Sequence, residues 1–287
     1  MNSGDTYIRG SARDKIRGCM IGGAAGDALG YAVEFMGERE IFLKYGANGI
    51  TSYDIHDGSG KAVISDDTQM SLFTATGLLT GDTRGALHGV RAEPAFYVAK
   101  AYGDWLNTQE TTFAQFRSRV ESGEAQAFSW LSEVPELFNR RAPGTTCLTA
   151  LRSGRAGTTG DRINDSKGCG GIMRVAPVAL DYHDADIKAV DKAGAEIAAI
   201  THGHSLGFMP AAVLTHIIRR IVFSPPEPLE NIVSEAVGAV CEIFAGDKHL
   251  GELTRIIDLA VALSAGNEPD LANIHRLGEG WVGDEAL

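Results

Sequence analysis

These 287 residues, 44% of them apolar and 22% charged, have the composition of a globular chain, and their number is enough for a substantial core in a single domain spanning residues 1–287. The formal net charge of −11 would repel a phosphate backbone, and lysine and arginine form no cluster, so the composition disfavours nucleic acid as a general partner. No run approaches the roughly 18 apolar residues of a membrane span, and residues 1–17 lack the apolar segment of a signal peptide, so we expect a cytoplasmic protein that binds no membrane.

The first predicted element is a glycine-rich helix that includes residues 18–34. From Gly18 to Gly30 a glycine recurs at every fourth residue, which makes one helical face nearly flat and lets another helix approach closely. Each interior glycine costs about 0.5–1 kcal/mol relative to alanine. The spacing by itself favours a tight packing seam, and the alternative is that close packing brings Asp27 and Glu34 to a functional site.

The second element begins with the motif Ser65-Asp66-Asp67-Thr68 and predicts a helix that runs to about Thr80. Ser65 is a good N-cap, and two acids in the first turn complement the positive end of the helix dipole. The same three side chains are also a cluster of hard oxygen donors, which is what magnesium requires. Both interpretations stay open, because a helix N-terminus can orient carboxylates that bind a metal.

Apolar residues recur at three- and four-residue spacing along most of the remaining chain, which predicts buried or half-buried helices. These cover residues 94–106, 187–200, 210–223, 229–244 and 253–263. Strand signals are few, and residues 50–55 are the best short candidate. The sequence therefore predicts an all-α fold. The four cysteines form no C-x-x-C pair, which predicts neither a zinc site nor a disulfide framework, and the absence of a heptad repeat favours a monomer.

A glycine cluster lies in residues 166–174, which read Ser-Lys-Gly-Cys-Gly-Gly-Ile-Met-Arg. Such a segment can expose several backbone N–H groups to a phosphate. It is not a P-loop, because no Gly-Lys-Ser/Thr follows at the required spacing. By itself the cluster is equally consistent with an ordinary loop.

Residues 203–207 match the G-x-S-x-G nucleophile elbow, which raises a serine hydrolase as an alternative function. Ser205 would be the nucleophile, with Asp258 and His275 as the later acid and base. The elbow needs a preceding strand, whereas residues 195–200 are alanine-rich and continue a helical period. The pattern therefore disfavours this alternative.

Taken in order, four of these segments resemble the ADP-ribosylglycohydrolase family: the glycine-rich helix ending in Glu34, then residues 65–68, residues 168–174 and Thr201-His202. The resemblance covers nearly the whole chain. It implies a compact orthogonal bundle of helices with two magnesium ions, or manganese in their place, at the bottom of a cleft. The implied reaction is hydrolysis of the glycosidic bond that joins ADP-ribose to an acceptor, with ADP-ribosyl-arginine on a protein as the leading substrate and a small molecule as an alternative.

The resemblance also implies roles for individual residues. Ser65, Asp66 and Asp67 would ligate the metals. Glu34 would lie at the scissile bond and handle a proton. His202 would pack near the ribose and adenine. The residues that would hold the diphosphate, through backbone N–H groups, are Ser166, Lys167, Gly168, Cys169, Gly170 and Gly171.

Two departures from the family pattern bear on activity. Cys169 stands where the family usually has asparagine. The family's second acidic motif, Asp-x-Asp-Ser/Thr, does not occur in this sequence, and residues 277–287 read as an amphipathic helix without a C-cap. We therefore expect a C-terminally shortened chain with feeble or no hydrolysis, and a non-catalytic ADP-ribose-binding homologue is the alternative. Asp284 and Glu285 fit the solvated face of that helix better than substitute metal ligands.

Overall fold

The computed structural model describes residues 3–55, 60–89, 92–181, 186–266 and 271–287, with side chains from residue 12 onward. Within these ranges the regular structure is helical and no strand forms, so the predicted all-α fold is confirmed. Residues 50–55, the strand candidate, are irregular. The α-helices are α1 (Ser3–Gly30), α2 (Glu38–Tyr45), α3 (Asp66–His88), α4 (Pro94–Glu110), α5 (Phe113–Glu121), α6 (Thr145–Arg152), α7 (Ala176–Leu180), α8 (Ile187–Ala199), α9 (Ser205–Phe223), α10 (Leu229–Ile243), α11 (Leu250–Ser264), α12 (Leu271–Leu277) and α13 (Gly283–Ala286).

Each helix that the apolar periodicity predicted is present, with its ends moved by a few residues. α8 and α10 each end one residue before the predicted boundary. α3 continues to His88 rather than ending near Thr80, and Gly89 closes it in the left-handed conformation with φ of 69°. Short 3-10 helices also occur within the described ranges, at Trp130–Glu133, Pro135–Leu137 and Cys169–Arg174.

α9 is the central helix of the core and packs against α7, α8, α10 and α13. Its first turn starts at Ser205 rather than at Pro210, because the His204 imidazole accepts a hydrogen bond from the Leu206 amide and caps the helix. Among the helices described here, α9 is long and apolar enough to cross a membrane by length and composition. Most of it is buried within the protein, and its buried His216 pairs with Asp191 at 2.8 Å, so we assign it as a core helix.

Two helix pairs approach closely through a glycine. A methyl group added at Gly77 of α3 would lie 2.7 Å from the Cα of Val98 in α4. One added at Gly194 of α8 would lie 2.3 Å from the hydroxyl oxygen of Thr215 in α9. Real Cβ atoms do not come this close to other heavy atoms, so both positions need glycine.

The packing seam predicted for α1 is wrong within the described part of the chain. A Cβ added at any of the four glycines from Gly18 to Gly30 would meet no other residue within 4 Å. Ile21, beside this face, has 68% of its surface exposed. α1 contacts α3, α7 and α9 through other residues. The sequence therefore identified a flat helical face correctly, but no described residue packs against it.

Candidate active site

The start of α3 holds the acidic motif in place with a cap of its own. Ser65 precedes the helix in an extended conformation, and its hydroxyl oxygen accepts a hydrogen bond from the Asp67 amide at 3.1 Å. Ser65 and Asp66 are buried, while Asp67 is open to solvent. The predicted helix cap is therefore confirmed, and it leaves both carboxylates at one end of α3.

Asp27 of α1 provides a second cap from a different helix. Its carboxylate accepts hydrogen bonds from the Ser65 amide at 2.9 and 3.0 Å and from the Thr68 amide at 3.2 Å. The Thr68 hydroxyl donates to the same carboxylate. Sequence analysis raised Asp27 only as a neighbour of a site; the contact shows that it joins α1 to the acidic motif. No spacing rule connects two residues that lie 38 positions apart.

The loop of residues 138–144, which precedes α6, holds Asp66 through two hydrogen bonds. The Asp66 amide donates to the carbonyl oxygen of Arg141 at 2.9 Å, and the Gly144 amide donates to the Asp66 carboxylate at 3.1 Å. Between them Ala142 has φ of 53°, which is rare for a residue with a side chain. Strained backbone of this kind concentrates at functional sites. The loop was missed by sequence analysis, because no residue type in it carries a metal-ligand signal.

Negative charge concentrates where these elements meet. Burial, followed by the charges of neighbouring acids, raises the pKa of Asp66 to about 7 and that of Asp67 to about 7. Although Asp67 is exposed, enough protein surrounds its carboxylate that burial is the largest cause of its raised pKa. The pKa of Glu34 is also raised, first by burial and then by the charge of Asp27. A bound cation would relieve this repulsion.

The donor set fits magnesium on one side only. No group of three or more His, Cys, Asp or Glu side chains comes close enough to hold a metal ion within the residues that the structure covers. Magnesium is usually bound through one or two carboxylates, with water and substrate phosphate as its other ligands. Asp66 and Asp67, with the Ser65 hydroxyl beside them, match that smaller requirement.

Glu34 lies in the turn that follows α1, on the solvent side of the acidic cluster. Tyr31, at the start of this turn, donates its amide to the carbonyl oxygen of Asp27 at 2.8 Å. Burial raises the pKa of Tyr31, and the Arg141 cation lowers it. The charges of Glu34 and Asp66 also raise the pKa of Tyr31, so Tyr31 lies near both acids and near Arg141. Sequence analysis missed Tyr31 and Arg141 because neither belongs to a recognisable motif.

The segment 166–171, which we call the glycine loop, meets the acidic motif through Cys169. Burial raises the pKa of the Cys169 thiol to about 11, and the nearby charge of Asp67 acts in the same direction. α3 also packs against the 3-10 helix of residues 169–174, and the Ser71 hydroxyl donates to the carbonyl oxygen of Met173 at 3.4 Å, so the two segments that sequence analysis singled out lie side by side. The replacement of asparagine by cysteine puts a neutral thiol next to the metal-binding candidates.

His202 lies behind the glycine loop and supports it. Its ring is 2% exposed, and a methyl group added at Gly170 would lie 3.0 Å from the ring carbon Cε1. One added at Gly168 would lie 3.4 Å from Nε2. Burial, and then the Arg174 cation, lower the pKa of His202 to about 3, so the ring is neutral at physiological pH. The imidazole therefore leaves little room for a side chain at Gly170, whereas a Cβ at Gly168 would make an ordinary contact with it.

Part of the backbone of the glycine loop is already paired. The Cys169 amide donates to the carbonyl oxygen of Trp281 at 3.1 Å, and the Gly283 amide donates to that of Lys167 at 2.8 Å. The Ser166 and Gly168 amides are also paired, with the Asn164 side-chain oxygen at 3.1 Å and the Ser166 hydroxyl oxygen at 3.4 Å. The amides of Ser166, Gly168 and Cys169 are therefore not free to bind the diphosphate in this structure.

Gly170 lies in the first turn of the 3-10 helix, where an amide lacks an acceptor within the helix, and it remains a candidate donor. Gly171 is the third residue of this helix and is buried, so its amide pairs with the carbonyl oxygen of Gly168, three residues earlier.

The C-terminal segment contributes to this arrangement in a way that sequence analysis did not foresee. Asp284, expected on a solvated face, is 7% exposed. The Glu285 carboxylate accepts hydrogen bonds from the amides of Glu279 and Gly280 at 3.1 and 3.2 Å. Trp281 stacks on Phe35, with ring centroids 6.2 Å apart. These residues fold back on the glycine loop and on the turn that carries Glu34.

The serine-hydrolase alternative does not fit the geometry. Ser205 is 0% exposed and donates its hydroxyl to the carboxylate of Asp247 at 2.6 Å. It opens α9, and the element before it is the helix α8 rather than a strand. Asp258 lies on the exposed side of α11, and His275 of α12 pairs with Glu38 at 3.3 Å. The three residues therefore form no triad.

Comparisons with known proteins cover most of this chain. The sequence model of the ADP-ribosylglycohydrolase family matches residues 9–287. One curated relative is the ADP-ribosylhydrolase ARH3 of Gallus gallus, which is 25% identical over 246 residues. The aligned region covers 82% of this chain and 58% of that protein, so the chain spans less than two thirds of this relative's length.

Proposed function

The chain belongs to the ADP-ribosylglycohydrolase family, and we propose that it hydrolyses the glycosidic bond between ADP-ribose and a modified acceptor, with magnesium held by Ser65, Asp66 and Asp67. The observation that supports this most is the convergence of the acidic motif, Glu34 and the glycine loop on one site. These segments are distant in sequence, and it is the folding of several helices, not one contiguous motif, that brings them together.

Each group has a chemical task in this proposal. Magnesium, when bound, orients substrate oxygens and acidifies a water molecule. Glu34 is the proton acceptor, because its raised pKa brings a carboxylate closer to the pKa suited to general base catalysis near neutral pH. The Gly170 amide binds the diphosphate, and Asp27 holds the metal ligands in register.

We propose ADP-ribosyl-arginine on a protein as the substrate. Glu34 and Asp67 are open to solvent at the mouth of the site, and a cluster of carboxylates attracts a guanidinium group. A small molecule that carries a cationic acceptor would satisfy the same chemistry.

A non-catalytic ADP-ribose-binding protein is the second candidate function. The sequence contains no Asp-x-Asp-Ser/Thr motif, and the acidic motif offers only one side of a magnesium coordination shell. This alternative predicts binding of ADP-ribose without turnover.

Calorimetric titration of magnesium in the presence of ADP-ribose tests the proposal, together with an assay for ADP-ribose release from ADP-ribosyl-arginine and ADP-ribosyl-serine. Asp66→Asn should abolish magnesium binding, whereas Asp258→Asn, at an exposed position on α11, should leave it unchanged. Release of ADP-ribose from the arginine substrate supports the enzyme. Binding without release supports the second candidate, and equal binding by both variants would refute the metal site.

A further inference from the structure

Arg174 is a buried cation that lies beneath the glycine loop. It is 0% exposed and forms no ion pair with a carboxylate in the described part of the chain. Its guanidinium donates to the carbonyl oxygen of Ile197 at 3.3 Å and to the Thr201 hydroxyl oxygen at 2.6 Å. Its Cζ lies 4.5 Å from the centroid of the Tyr102 ring. These contacts hold the charge but do not neutralise it, and burying a charge without a counterion is costly.

The Thr201 hydroxyl can donate one hydrogen bond, and the groups around it are Arg174, His202 and Cys147. Because Arg174 can only donate, Thr201 accepts from it. The Nδ1 atom of His202 lies 2.8 Å from the same oxygen. The Cys147 thiol is also close by, with its sulfur 3.4 Å from the Arg174 guanidinium. An imidazole nitrogen is a much better acceptor than a thiol sulfur. The hydroxyl proton is therefore donated to His202 Nδ1.

This assignment fixes the tautomer of His202. A neutral imidazole that accepts at Nδ1 carries its proton at Nε2. The Nε2 side of the ring faces the glycine loop, where a Cβ at Gly168 would lie 3.4 Å from Nε2 and one at Gly170 would lie 3.3 Å from it. The two glycines thus leave open the space through which an N–H group at Nε2 reaches a ligand in the loop.

We propose that Arg174 and Thr201 are positioning residues, which fix His202 as a neutral Nε2–H donor aimed at an anionic group held by the glycine loop. The inference rests on the proposed function for the identity of that group, a diphosphate. The buried Arg174 cation adds an attractive field from the same direction, which a dianion would feel at short range. Neither residue touches the ligand, and both act through His202.

Two readouts on the full chain test the arrangement separately. The ¹⁵N chemical shifts of the His202 ring report the tautomer directly, and calorimetry with ADP-ribose reports affinity. The wild type should show the Nε2–H tautomer. Thr201→Val keeps the volume but removes both hydrogen bonds, so it should lose the single tautomer and bind ADP-ribose about tenfold more weakly, the effect of one lost hydrogen bond. Thr201→Ser keeps the hydroxyl and should restore both.

The matched control is Thr215→Val, because Thr215 is also fully buried and its hydroxyl donates to the carbonyl oxygen of Ala211 at 2.7 Å, away from the site. This variant should keep the tautomer and the affinity. An Nδ1–H tautomer in the wild type, or an affinity of Thr201→Val within twofold of the wild type, would overturn the inference. If the wild type binds no ADP-ribose, the proposed function fails, and the tautomer of the wild type and of Thr201→Val still decides whether Thr201 positions the ring.

Discussion

At the residue scale, the start of α3 depends on a side chain from another helix. Asp27 accepts hydrogen bonds from the Ser65 and Thr68 amides and from the Thr68 hydroxyl. A single carboxylate thus satisfies amides at a helix N-terminus that would otherwise lack acceptors, and it lies at the end of the helix dipole that favours negative charge. Its task is to place the acidic motif rather than to act on a substrate.

Asp27→Ala should lower the free energy of unfolding by about 1–3 kcal/mol, because it removes a charged cap and leaves partly buried amides unpaired. Magnesium binding should weaken with it, since Asp66 and Asp67 lose their anchor. Urea unfolding and calorimetry measure the two effects. Asp14→Ala is the control, because Asp14 is an exposed acid on the same helix. A similar small change in both variants would contradict a capping role for Asp27.

His202 makes stability depend on pH in a defined direction. Its pKa is lowered in the folded state from 6.5 to about 3. Between these values the unfolded chain binds a proton that the folded chain does not, so stability falls as the pH is lowered from about 6.5 to about 3. This contribution is fully present above pH 6.5.

His202→Gln removes that proton uptake. The unfolding free energy of the variant should depend less steeply on pH over this window, by up to about 1.4 kcal/mol per pH unit. Urea titrations at several pH values from 4 to 7 measure the slope. His88→Gln, at an exposed position near the end of α3, should leave the slope unchanged. Parallel curves for the wild type and His202→Gln would show that the ring is not held neutral by the fold.

At the element scale, two glycines in mid-helix have opposite surroundings. Gly194 of α8 lies against Thr215 of α9, with 2.3 Å from an added Cβ to the hydroxyl oxygen. Gly238 of α10 is exposed, and an added Cβ would meet nothing within 4 Å. Substitution by alanine therefore tests helix packing at Gly194 and helix propensity at Gly238.

Gly194→Ala should destabilise the protein by about 1–3 kcal/mol, because α8 and α9 must move apart to admit the methyl group. Gly238→Ala should stabilise it by about 0.5–1 kcal/mol, the usual preference for alanine within a helix. Chemical denaturation measures both values. Destabilisation of equal size in the two variants would mean that α8 and α9 do not pack as closely as described.

At the scale of the whole molecule, burial is concentrated around α9. Residues 205–213 are buried without interruption, and α9 contacts helices from both halves of the chain. α12 contains no buried residue. Local opening costs least where few apolar contacts are broken, so the stability of the molecule should fall from α9 outward.

Amide hydrogen exchange should therefore be slowest in residues 210–220 of α9, at a free energy close to that of global unfolding, and fast in α12. Mass spectrometry of peptic fragments measures this order. α11 supplies an internal comparison, because it has two buried residues, Leu253 and Ile257. Exchange in α9 that is as fast as in α12 would contradict its place at the centre of the core.

The sequence by itself determined the helical class, the approximate helix ranges and the acidic and glycine-rich motifs. It did so because these are local properties: apolar spacing of three and four residues records one buried helical face, and Ser65 with two following acids records a helix start. The ends of α3 and α9 moved because their limits depend on single residues, the left-handed Gly89 and the His204 cap. A periodic pattern of apolar residues does not indicate where such a single residue ends or begins a helix.

Only the tertiary structure decided which motifs meet and which groups are already occupied. The contacts of Asp27 with Ser65, of Arg141 with Asp66 and of Cys169 with Trp281 join positions that no local spacing relates. For the same reason the glycines predicted a flat face on α1, but not that this face has no packing neighbour among the described residues. A motif indicates which donors, acceptors and charges a segment contains. Burial and contacts with other helices determine which of these groups remain free to bind a ligand.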